Sequence, residues 1–248
     1  MYTTEPVSVM VGEKALDASF AAPAGAMPGV LLVHGWDSDQ GHYQLRAEDL
    51  AALRCVALTF DLQGHGGDEA RSDQVSRDDN LKDVLAAYDR LSAHPQVDRN
   101  AIAVIGTSYG GYLAAIASAM RPVRWLALRV PALYADAQWS TPKASLDRGE
   151  IARYRSRVQP PEDNRALAAC TAFRGDVLIV GSENDDVVPR PAIKSYVQAF
   201  REANSMTHRT IRSADHGLGD ERARRTYDSQ LNGWLNEMLV EASAQLGG

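Results

Sequence analysis

The sequence predicts an α/β fold: one doubly wound, mostly parallel sheet of about eight strands, with helices on both faces and a small cap insertion. Three observations carry this expectation. Short apolar runs alternate with helix-spaced segments along most of the chain. Several runs are apolar at nearly every position, as strands buried on both faces must be. The chain has 248 residues, enough for one such sheet and its covering helices, so a single domain over 1–248 is expected.

Residues 7–11 and 16–21 read as two strands around the Gly12-Glu13 turn, as in a hairpin. Residues 30–33 form a short, wholly apolar central strand. Residues 44–53 carry helical spacing, and "CVALTF" (55–60) is the next strand. Residues 81–91 are helical, with Leu81, Val84, Leu85, Tyr88 and Leu91 at helical intervals. A strand at 102–105, a helix at 109–120 and a strand at 125–130 follow. Between 131 and 175 the alternation stops, and this stretch reads as a cap-like insertion. It holds Tyr134, Trp139 and Tyr154 and shows no clear strand. "DVLIVG" (176–181) resumes the pattern, followed by a helix at 191–203, the strand "HRTIR" (208–212) and a closing helix at 221–241.

Charge and composition exclude several classes. Twenty-six Lys+Arg stand against 32 Asp+Glu, a formal charge of -6, whereas a nucleic-acid binder needs a positive stripe to displace counterions. The basic cluster "RARR" (222–225) opens a helix and reads as a solvated face. The two cysteines, Cys55 and Cys170, make no disulfide framework, and no His/Cys cluster suggests a metal. The opening "MYTTEPVSVMVGEK" lacks the basic and apolar regions of a signal peptide. No apolar stretch approaches the ~20 residues that span a bilayer. A cytoplasmic protein without metal, cofactor, membrane or nucleic-acid partner is expected.

The chemistry centres on "AVIGTSYGGYLAAIA" (103–117), which passes from strand to helix through one hydroxyl, Ser108. A serine at the tip of a sharp strand-to-helix turn takes a strained backbone, and side chains two positions either side would collide. Gly106 and Gly110 remove that collision, and Gly111 lets the helix approach the sheet. The pattern alone is weak; its place between strand and helix gives it weight. A serine hydroxyl needs a general base. Of the six histidines, His216 in "SADHGL" lies on the loop between the last strand and helix, at the same sheet edge as Ser108. His208 falls in a strand, and His94 reads as a helix C-cap. His34 and His65 sit in Gly-rich loops as ordering groups, and His42 is the least readable. The base needs an orienting carboxylate. "GSENDDVVP" offers Asp185 and Asp186 just past a strand, where Asn-Asp pairs also serve as ordinary turn formers.

These motifs, in the order Ser, Asp, His, resemble the α/β-hydrolase family over nearly the whole chain. "LLVHGW" (31–36) resembles the loop that carries half of that family's oxyanion hole, and "DLQGHG" (61–66) its D-x-x-G-H-G loop. "GTSYGG" is similar to the nucleophile elbow, "NDDVVP" to the acid turn and "DHG" to the histidine loop. The wording of residues 108–112 leans toward the serine esterase and prolyl-oligopeptidase-like branches, in a chain too short for a propeller. The resemblance implies Ser108 as nucleophile, His216 as base and Asp185 as acid, because Asp185 has the family's spacing to Pro189. It also implies an oxyanion hole from the backbone N–H groups of Trp36 and Tyr109. Trp139 and Tyr134 are candidates for an acyl pocket, or for the insertion's own small core. The implied activity is hydrolysis of a small-molecule carboxylic ester. A peptidase or amidase of the same fold is the first alternative, and a non-catalytic binding protein on that fold the second.

Overall fold

The computed structural model describes residues 2–23 and 27–246. Its strands are β1 (Tyr2–Val11), β2 (Lys14–Pro23), β3 (Met27–Val33), β4 (Val56–Phe60), β5 (Val97–Thr107), β6 (Trp125–Arg129), β7 (Asp176–Ser182) and β8 (Ser205–Ile211). Its helices are α1 (Gln44–Ala52), α2 (Arg77–Ser92), α3 (Tyr109–Ala117), α4 (Arg148–Arg155), α5 (Arg165–Thr171), α6 (Arg190–Ala199) and α7 (Glu221–Leu246). The strands form one eight-stranded sheet in the order β1-β2-β4-β3-β5-β6-β7-β8. β1 pairs antiparallel with β2, and β2 with β4; from β4 through β8 every pairing is parallel.

Strand alternation sorts the core into two layers. Leu31, Val33, Ile102, Val104, Leu126, Leu128, Val177 and Ile179 face one side, under α2, α3, α5 and α6. Val30, Leu32, Ala103, Ile105, Trp125, Ala127, Leu178 and Val180 face the other, under α1 and α7. Because both faces are covered, the central strands carry almost no polar residue. β1 and β2 behave differently: Leu16, Ala18 and Phe20 are buried while their neighbours Ala15 and Asp17 are exposed.

Helix ends are set by local chemistry. α2 starts at Arg77, earlier than its apolar spacing suggests, because Ser76 and Asp79 form a reciprocal capping box, a device worth about 1 kcal/mol. α3 stops at Ala117, short of the expected 120, where Met120 and Arg121 N–H both turn back to the Ala117 carbonyl. α6 stops at Ala199 rather than 203, since Phe200 leaves the helix at ψ 73° and its ring packs against Phe173. α7 runs on past 241 to Leu246. The stretch 131–175 contains α4, α5 and single helical turns, and among the described residues no strand.

The chain leaves β3 toward β4 on one side and returns to β5 on the other. This reversal places the C-terminal ends of β3 and β5 at a topological switch point, where open α/β sheets form their clefts.

Candidate active site

Ser108 stands between the end of β5 and the start of α3, at φ 52° and ψ -113°. A non-glycine residue there costs about 1–3 kcal/mol and persists only when its surroundings enforce it. Here the Ser108 N–H donates to the Arg129 carbonyl, and its own carbonyl accepts from Tyr112 and Ala132 N–H. Two glycines make the turn possible. A Cβ at position 106 would lie 2.5 Å from the Gly110 carbonyl oxygen, and one at 110 would lie 2.3 Å from the Val33 and His34 oxygens.

The Ser108 hydroxyl lies 3.0 Å from His216 Nε2. On the far side of the ring, Nδ1 lies 2.8 Å from Asp185 Oδ2 and 3.0 Å from Oδ1. The Asp185 carboxylate is 2% exposed and is fixed by Val187 and Val188 N–H, which both donate to Oδ1. Asp186 is exposed and points elsewhere. An imidazole bonded to a hydroxyl on one side and a carboxylate on the other is the arrangement in which serine loses its proton as it attacks.

The backbone N–H groups of Trp36, which lines the same cavity as Ser108, and of Tyr109, which directly follows it, belong to the β3 loop and the first turn of α3. Neither donates a hydrogen bond within the described residues. His34 shapes the first of these turns. Its Nε2 accepts the Leu62 N–H, so the ring proton must sit on Nδ1, which donates to the Gly35 carbonyl. Burial drives the pKa of His34 down to about 4 and keeps this neutral tautomer. The Trp36 ring meets His65 and Tyr109 edge-on, and Lys143 Nζ sits 3.5 Å from its centroid. Burial, seconded by Arg155, brings the Lys143 ammonium down to about 7.

A cavity of about 380 Å³ opens at Ser108, lined by Trp36, His216, Arg129 and Tyr227 among others. Tyr134 lines a different cavity of about 360 Å³ under the 131–175 stretch, and its ring packs against Tyr109 and Tyr112. Trp139 lies nearby, its Nε1 donating to Asp78 and its face covered by the Arg165 guanidinium 3.7 Å away. No other histidine hydrogen-bonds the hydroxyl among the described residues, although His42 lines the same cavity. His42 is exposed and bonded to Asp39. His94 packs at a tilt against Phe20 and accepts the Gln96 N–H beyond the helix end, so it orders the following turn rather than the helix carbonyls.

Sequence reading passed over a buried support beneath the elbow. Tyr109 OH donates to Asn80, whose amide donates to Asp83, which in turn accepts from the Gln63 backbone and side chain. Burial raises the Asp83 pKa. Its only sequence signal is a polar pair, Asn80 and Asp83, at i,i+3 on the apolar face of α2. Among the described residues no group of three or more His, Cys, Asp or Glu side chains could hold a metal ion. No helix among them is long and apolar enough to cross a membrane.

The switch-point cleft, the serine elbow and the order of its partners define an α/β-hydrolase. Residues 73–241 match the prolyl oligopeptidase family, and the chain belongs to that family. It is similar to the pimeloyl-[acyl-carrier protein] methyl ester esterase of Chromobacterium violaceum, 36% identical over 126 residues, which cover 48% of this chain and 44% of that one. The chain thus spans under half the length of this curated relative. Among solved structures it is similar to the Pyrococcus horikoshii acylaminoacyl peptidase, with TM-score 0.74 and 15% identity over 96% of this chain and 42% of that one. It is also similar to Est1E from Butyrivibrio proteoclasticus with ferulic acid bound, with TM-score 0.73 and 19% identity over 96% and 99%. At such identities the structural likeness is one of fold.

Proposed function

We propose that this chain is a serine hydrolase that cleaves carboxylic esters, with residues 131–175 forming a cap-like insertion beside the site. The observation that carries the reading is the continuous Asp185–His216–Ser108 hydrogen-bond chain on a strained elbow. Ser108 Oγ forms a bond to the acyl carbon as its proton passes to His216 Nε2. The carbonyl π pair moves onto oxygen, where the Trp36 and Tyr109 N–H groups receive it; one such donor is worth about 3 kcal/mol. The carbon–oxygen bond to the leaving group then breaks, and His216 returns the proton to the departing alcohol. Water repeats the sequence on the acyl-enzyme and releases the acid. Asp185 holds the imidazole in the reactive tautomer throughout.

An ester is favoured by the methyl ester esterase relative. A peptidase or amidase is the second reading, favoured by the family itself. Parallel rates on p-nitrophenyl esters and aminoacyl anilides separate the two. For either leaving group, Ser108→Ala is expected to abolish turnover and fluorophosphonate labelling while the circular dichroism spectrum stays native. Undiminished hydrolysis by the folded variant would refute the mechanism.

A further inference from the structure

The cavity at Ser108 continues between the end of β6 and the face of α7, and its walls there are polar and cationic. Arg129, the last residue of β6, is 7% exposed. Its Nη2 donates to the His216 carbonyl, but its buried Nη1 has no partner among the described residues. Two more buried groups on the same wall, Tyr227 OH and Thr107 Oγ1, are also unpartnered. These residues are 1% and 7% exposed. The Tyr227 ring lies against two guanidiniums at once, Arg46 at 4.8 Å and Arg129 at 5.6 Å. Arg46 has a carboxylate partner in Asp228 at 2.6 Å. Arg129 is in no ion pair within the described residues. Asp185 is its nearby acid, and that carboxylate is engaged by His216, Val187 and Val188.

Buried donors in native proteins find acceptors, and a guanidinium also needs negative charge when removed from water. Water can satisfy the two hydroxyls but brings no charge, and the acid near Arg129, Asp185, is also the one that must stabilise the His216 imidazolium. A carboxylate supplies two acceptor oxygens and the charge together. We infer that the Ser108 cavity takes esters whose acyl part ends in a carboxylate, that is, monoesters of short dicarboxylic acids, with the free carboxylate received by Arg129, Tyr227 and Thr107. This inference rests on the proposed hydrolysis at Ser108, and the carboxylate belongs to the substrate rather than to the reacting centre.

The test compares monomethyl glutarate with its uncharged isostere, the methyl ester of glutaric acid monoamide, reading kcat/KM by titration of released acid. A second arm measures glutarate and glutaramide binding by calorimetry, which needs no turnover. The wild type is expected to favour the charged ester at least tenfold and to bind glutarate but not glutaramide. Arg129→Met and the conservative Tyr227→Phe are expected to erase most of that ratio and of the glutarate binding. If the neutral ester is hydrolysed as well as the charged one, the inference is overturned and the serine mechanism stands. If neither ester is hydrolysed, the hydrolase reading fails for these substrates and binding decides. Glutarate uptake abolished by Tyr227→Phe sustains the anion site; absence of uptake overturns it.

Discussion

Two adjacent aspartates illustrate how one residue's direction fixes its role. Asp185 turns inward, where three hydrogen bonds and near-complete burial hold it against His216, while Asp186 faces solvent. Loss of the orienting carboxylate in a comparable triad costs about 10⁴-fold in kcat. Asp185→Asn is therefore expected to lose several orders of magnitude in ester hydrolysis, and Asp186→Asn at most a small factor. Steady-state kinetics on the two proteins checks this directly, and the reverse pattern would move the acid by one position. His34 gives a second residue-scale test, in stability rather than rate. Folded His34 stays neutral down to about pH 4, whereas the unfolded chain protonates it near the ordinary imidazole value of 6.5. Between those values the unfolded state binds more protons, so stability rises with pH and is lost as pH falls from 6.5 toward 4. The full span corresponds to about 3 kcal/mol. Urea titrations at pH 7 and pH 4.5 should show a smaller acid loss in His34→Gln than in the wild type, by about 2 kcal/mol. Equal losses in the two proteins would contradict the assignment.

Among elements, the stretch between β6 and β7 depends most on single side chains. α4 and α5 are eight and seven residues long, too short to be stable alone. Arginines tie this stretch to the sheet. Arg77 donates to the Ala135 and Ala137 carbonyls. Arg155 donates to the Leu133 carbonyl and to Val187, on the turn that carries Asp185. Removing Arg155 leaves the buried Leu133 carbonyl unpaired, at about 1–3 kcal/mol, while the carbonyl of the exposed Val187 can turn to water. Arg155→Met is thus expected to lower unfolding free energy by about 1–3 kcal/mol and to depress kcat through the Asp185 turn. Its exposed neighbour Arg153, paired only loosely with Glu150, should cost under about 0.5 kcal/mol when replaced by Ala. Denaturant midpoints for the pair of variants distinguish the two; equal losses would remove the anchoring role. These ties explain why this stretch was the least legible in the sequence. Its order comes from arginines reaching carbonyls dozens of residues away, and such contacts leave no periodic trace. β3, β5 and β7 were legible for the opposite reason, since burial on both faces writes itself as a continuous apolar run.

For the whole molecule, legibility follows the same division. Ser108, Asp185 and His216 could be singled out because each lies at a strand end with its own local signature, and the sheet brings those ends together. Arg46, Arg129 and Tyr227 meet only through the packing of α1, β6 and α7, so nothing near any one of them announces the polar wall they build. That wall governs what the molecule can select. An acyl chain gains about 0.8 kcal/mol per methylene only where it leaves water for apolar surroundings, which amounts to about fourfold in kcat/KM for each carbon. Near Ser108 the first carbons meet Trp36 and Leu218, and longer chains run toward Arg46, Arg129 and Arg224. There the gain stops, because an apolar tail would take these guanidiniums out of water while offering no acceptor to the unpartnered Nη1 of Arg129. The 131–175 stretch adds no deep tunnel at this point: its own cavity of about 360 Å³ is lined by Arg77, Arg153 and Arg157 as well as Tyr134 and Tyr154. Across p-nitrophenyl esters from acetate to decanoate, kcat/KM is therefore expected to rise over the first few carbons, to level by about six, and then to fall. A steady fourfold climb through decanoate would show an apolar channel that these arginines do not permit.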